Sequence, residues 1–195
     1  MRTAKRVAGL KLAGMALAVA MTSALTGPAA AQKLSEKAVK TFMSYAWALT
    51  PEKFTTPKGR VIMIDKSNKE KVLVPIDSAR DVIMAGRLTA HAQICELPKA
   101  KIANFNSLMR REKGSNRWSE QQMIYINQLH LTTVMLLTGQ IKLVEKKEGG
   151  KEVTVYEEKK SAKTCTDEQR KKVNELIVEY VKSEPKPKKA ENKQG

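Results

Sequence analysis

WSEQQMIYINQLHLTTVMLLTG, residues 118–139, begins with a helix start signal and ends with a stop signal. Ser119 and Gln122 have the spacing of a capping box, and Trp118 and Met123 have that of a hydrophobic staple. Gly139 is a natural C′ residue, because it reaches the left-handed conformation without a Cβ penalty. Between these signals Met123, Ile124, Ile126, Leu129, Leu131, Val134, Met135, Leu136 and Leu137 cover most of the circumference. A helix apolar most of the way round is a central one.

A second stretch of this kind precedes it. SARDVIMAGRLTAHAQICEL, residues 78–97, carries Ala79, Val82, Ile83, Gly86, Ala90 and Ile94 on one face. Met84, Leu88, Ala92 and Cys95 make the opposite side apolar, and Asp77 is placed to cap the helix. The seam between these two helices is the expected core. Pro98 suits the first turn of another helix, in which Ile102, Phe105, Leu108 and Met109 are expected inward. Arg110, Arg111 and Lys113 favour its C-terminal dipole end.

Ser35 starts an earlier helix, with Ala38, Phe42, Tyr45 and Leu49 as its apolar face. TPEKFTTPKG, residues 50–59, ends that pattern with two prolines. RVIMID and KVLVPI, separated by KSNKE, predict a hairpin. IKLVEKKEGGKEVTVYEEKK, residues 141–160, predicts a second hairpin that turns near Gly149 and Gly150. Thr166 and Gln169 form another capping box, for a last helix with Val173, Leu176, Ile177 and Tyr180 inward. The fold class is mainly α, with about five helices around two central buried ones and two β-hairpins.

The first 31 residues have the form of an export leader. Arg2, Lys5, Arg6 and Lys11 precede an uncharged run over residues 12–26, and Ala29, Ala30 and Ala31 offer a cleavage site before Gln32. The run is short for a spanning helix, which needs about 20 apolar residues. The expected organisation is a cleaved leader at 1–31, one domain at 32–183 and a disordered Lys/Pro-rich tail at 184–195. The expected location is the periplasm.

The chain holds 36 Lys+Arg against 20 Asp+Glu, and removing the leader's four bases leaves 32 against 20, a net +12. Such a balance in the cytoplasm points to nucleic acid. For an exported protein it points to an acidic envelope protein, an anionic cell-surface polymer or a lipid.

Export also decides how Cys95 and Cys165 read. Two thiols in an oxidising compartment predict a disulfide. The rival is a zinc site of Cys95, Cys165, His91 and His130, which has the right ligand count but no closely paired cysteines. His91 and Cys95, four apart, are also the spacing of a nucleophile and its base on one helix face. No nucleophile-elbow, zinc-protease, phosphate-loop or haem-attachment motif accompanies them, so no catalytic residue, metal or cofactor is assigned. Met43, Met63, Met84, Met109, Met123 and Met135 are scattered singly, as core filler is, without the clustering a copper site needs. Arg80, Arg87 and His91 share a helical stripe and form a possible anion-binding set.

The assembled layout resembles small uncharacterised periplasmic proteins of proteobacteria. HAQICEL closing one helix, the long WSEQQMIYINQLHLTTVMLLTG helix, and CTDEQRKKV opening the last carry the resemblance. It implies a cysteine-bridged helical domain and transfers no activity. The leading functional expectation is a non-enzymatic envelope protein that engages an anionic partner. A module binding a small anion between the central helices comes next, and an enzyme after that.

Overall fold

The computed structural model describes residues 34–146, 152–156 and 165–184. The expected leader, the Gly149 and Gly150 turn, and the tail beyond Glu184 lie outside these residues. The described helices are α1 (Glu36–Leu49), α2 (Lys69–Val72), α3 (Ile76–Ile94), α4 (Pro98–Gly114), α5 (Glu120–Leu137) and α6 (Asp167–Lys182). The strands are β1 (Lys53–Thr55), β2 (Val61–Met63), β3 (Leu143–Lys146) and β4 (Glu152–Tyr156), paired antiparallel as β1–β2 and β3–β4. The fold is mainly α, with α3 and α5 at its centre.

α5 is set by its ends. The Ser119 hydroxyl accepts from the Gln122 amide at 3.2 Å, and the Gln122 side chain accepts from the Ser119 amide at 3.0 Å. At the far end Gly139 has φ 68°, and Gln140 N–H reaches the Met135 carbonyl at 2.8 Å. That pair of features is a Schellman stop. α3 packs against α5 so closely at Gly86 that a Cβ there would lie 2.8 Å from Cβ and Cγ2 of Thr133. Val82, Ile83, Tyr125, Ile126 and Leu129 fill the seam, and Leu108 and the inward stripe of α1 close over it. The Tyr125 hydroxyl donates to the Met43 carbonyl at 3.1 Å, so its one polar atom is satisfied inside the core.

Several local expectations are corrected. α3 begins at Ile76, after Pro75 in an extended conformation (φ −56°, ψ 152°). Asp77 therefore sits in the first turn, where it favours the dipole and pairs with Arg80, and it is not the cap. The buried stripe of α1 is Val39, Met43 and Ala46, one residue further along than expected, and Leu49 is exposed. On α4 Leu108 is buried and Met109 packs on the core as expected, but Ala100, Asn104 and Ser107 are buried too, while Ile102 is 57% exposed. On α6 Val173, Ile177 and Tyr180 face inward as expected, and only Leu176 of the expected stripe faces outward. These three helices lie at the rim of the bundle, where choosing among adjacent apolar residues depends on the neighbour each helix meets.

The first hairpin also differs. RVIMID does not pair with KVLVPI; Val61, Ile62 and Met63 pair with Thr55, Phe54 and Lys53. The reason is the turn between them. Pro57 and Lys58 lead into Gly59 at φ 79°, and the Gly59 amide donates to the Thr56 carbonyl at 2.9 Å. The second of the two prolines therefore forms the hairpin's turn. Beyond β2 the Asp65 carboxylate accepts from the Ser67 and Asn68 amides at 3.0 and 3.2 Å, which redirects the chain into the single turn of α2. Val72 and Val74 of KVLVPI are buried as core, without forming a strand. The β3–β4 register pairs Val144 with Thr154 and Lys146 with Glu152, with an irregularity between Leu143 and Val144.

Candidate functional site

The three residues of the expected anion set have different surroundings on α3. Arg80 donates from Nε to the Leu34 carbonyl at 3.2 Å, and its guanidinium also pairs with Asp77. Only 13% of its side chain is exposed, so it fastens the entry of α1 to α3. Arg87 reaches back along the helix, with Nη1 3.7 Å from the Met84 sulfur. His91 is exposed, one turn beyond Arg87. On the inner side of the helix, the Gly86 contact leaves no room between α3 and α5 for even a methyl group.

His130 belongs to a different arrangement. Its ring is 4% exposed, and Nε2 lies 2.9 Å from the Thr89 hydroxyl. The Asn104 amide donates to that hydroxyl and to the Ala85 carbonyl, both at 2.8 Å. Phe105 packs on the imidazole, with ring centroids 5.0 Å apart. Burial pushes the His130 pKa down to about 4, so the ring is neutral at ordinary pH. The Asn104 Oδ1 is buried and has no hydrogen-bond partner among the described residues. Thr89, Asn104 and His130 thus form a polar knot where α3, α4 and α5 meet. Asn104 escaped the sequence reading because it sits between Ile102 and Phe105, which were the expected inward residues.

Cys95 and Cys165 are bonded to each other, with Cα atoms 5.1 Å apart. Their sulfurs are thereby removed from any zinc or nucleophilic role with His91. Arg170 adds a second tie, donating from Nη1 to the Cys95 carbonyl at 2.5 Å. The other end of α6 is gripped by α4. Arg111 donates to the Tyr180 carbonyl and to the Ser183 hydroxyl and lies 4.4 Å over the Tyr180 ring. Arg110 pairs with Glu184 through two bonds of 2.8 Å, and Ser107 donates to the same carboxylate at 3.1 Å. Glu184, assigned by composition to the tail, is the last residue of this grip. Its pKa is lowered, chiefly by the Arg110 hydrogen bond.

Part of the positive charge therefore has internal work. What is left outside includes one strongly basic segment. Residues 53–71 hold six bases against two acids, and Lys53, Lys58, Arg60, Lys69 and Lys71 are exposed. Lys66 is occupied, since it donates to the Trp47 carbonyl at 2.9 Å and stacks 4.1 Å over that indole. Arg60 pairs with Glu120 at 2.5 Å, an exposed contact that salt screens. Thr56, Pro57, Lys58 and Arg60 line a shallow depression at the tip of hairpin β1–β2. A second depression on α1 is lined by Glu36, Lys37, Lys40, Thr41, Ser44 and Tyr45, where Glu36 and Lys40 pair at 2.6 Å.

Among the described residues no helix is long and apolar enough to cross a membrane. No group of three or more His, Cys, Asp or Glu among them is placed to hold a metal ion. Comparison with known proteins finds no matching family model, no matching curated sequence and no matching solved structure.

Proposed function

We propose that the protein is an exported, non-enzymatic binding or structural protein of a bacterial envelope that engages an anionic partner through its basic surface. The partner is an acidic envelope protein, an anionic cell-surface polymer or a lipid, and the compartment is the periplasm. The observation that carries this reading is the excess of exposed bases over acids on residues 53–71. The resemblance in layout to cysteine-bridged periplasmic proteins and the form of the leader support the compartment.

The test is retention of the purified protein on envelope material at rising salt. Exposed charges attract a partner over about 10 Å at 0.1 M salt and about 3 Å at 1 M, so retention should fall steeply. Retention that ignores salt would sink the reading. N-terminal sequencing of protein recovered from the periplasmic fraction should begin at Gln32.

A further inference from the structure

The hairpin β1–β2 carries large apolar residues on the side it hides and also on the side it shows. Phe54 and Ile62 are cross-strand partners and pack toward the core. The other face carries the pairs Lys53 with Met63 and Thr55 with Val61. Met63 is 61% exposed and Val61 46%, so two large apolar side chains stand side by side in water. Lys53, the cross-strand partner of Met63, and Lys58 in the turn are exposed, and so are Lys69 and Lys71 in the following α2, with Glu52 and Glu70 as the exposed acids of this segment. Asp65 is turned to its own loop, and Glu120 is paired with Arg60.

Resting on the reading above, we propose that this outward face docks on an anionic phospholipid bilayer. Val61 and Met63 enter the interfacial layer, and Lys53 and Lys58 meet the headgroup phosphates. Charge complementarity selects an anionic partner, and the apolar pair selects a lipid surface over a purely polar polymer. A hairpin face with two protruding apolar residues fits a fluid interface, where apolar area and basic charge act together.

The experiment is co-sedimentation of the protein recovered from the periplasmic fraction with vesicles of phosphatidylcholine alone or mixed with phosphatidylglycerol. Three variants accompany the parent: V61S/M63S, K53Q/K58Q, and the charge-matched K99Q/K113Q on α4. The altered side chains are all exposed, and circular dichroism checks that each variant folds. Any contribution of the N-terminal segment is common to all four proteins, so differences report the surfaces.

Binding is expected on the anionic vesicles only. V61S/M63S should bind about tenfold more weakly through lost apolar burial. K53Q/K58Q should bind about 25-fold more weakly, the equivalent of ~1 kcal/mol for each base beside an anionic surface. K99Q/K113Q should stay close to the parent. Equal binding by parent and hairpin variants overturns the proposal, as does an equal loss in the α4 variant. Salt-sensitive retention on dextran sulfate with no vesicle binding overturns the lipid assignment and leaves the broader anionic reading standing. Loss of salt-sensitive retention on every anionic material removes both.

Discussion

A methyl group at Gly86 would meet the Cβ and Cγ2 of Thr133, and Thr133 cannot swing aside. Its branched side chain is buried, and its hydroxyl is held by the Leu129 carbonyl at 2.8 Å. Gly86→Ala should therefore force α3 and α5 apart and cost about 1–3 kcal/mol, despite alanine's better helix propensity. A urea midpoint equal to or above the parent's would show that the seam has slack. His130 makes a different kind of prediction. Its folded pKa is about 4, below the ordinary 6.5, so the unfolded chain takes up the proton first as pH falls. The stabilisation is complete above 6.5, declines as pH drops from 6.5 toward 4, and is lost by about 3 kcal/mol below that. Folding stability of H130Q should have a shallower slope than the parent's over that interval. Parallel slopes would mean that the imidazole is not sealed.

At the scale of elements, the bond between Cys95 and Cys165 joins the end of α3 to the residue before the α6 cap. It closes 70 residues of sequence, for which loop entropy gives about 4 kcal/mol, less whatever structure the unfolded chain retains. Replacing both cysteines with alanine should lower stability by 2–4 kcal/mol, about the usual range for such a link, with α6 losing hydrogen-exchange protection before α5 does. Uniform loss across both helices would argue that α6 is held equally well by its other ties. Those ties, from Arg110, Arg111 and Arg170, are long-range, and no spacing rule announces them. Features carried by a few neighbouring residues were legible: the Ser35 cap, the two capping boxes, the Gly139 stop and the burial of α3 and α5. The first hairpin was misread because KFT is only three residues long, while KVLVPI has the stronger β-branched pattern. Its turn at Pro57 and Gly59 outweighed that pattern. Among the rim helices α1 was misaligned by one position, and on α4 and α6 single residues, Ile102 and Leu176, were wrongly placed inward, because their orientation depends on tertiary neighbours.

Over the whole molecule, net charge could be counted from composition, but its division into internal and external work could not. Arg80, Arg110 and Arg111 look like surface bases in the sequence, yet they fasten α1 and α6 to their neighbours. Arg80 is the instructive residue among the expected anion-binding three, because helical phase placed it on a stripe while its partners come from Asp77 and the backbone of Leu34. The Cys95–Cys165 bond has a topological effect as well as an energetic one. It makes a covalent ring that includes α4, α5, β3 and β4. A single protease cut within that ring opens it without releasing a fragment. Such a nicked molecule should run as one species without reductant and as two after reduction. Survival of the proposed anionic binding in the nicked, unreduced form would show that it tolerates a broken backbone as long as the ring's two ends stay joined.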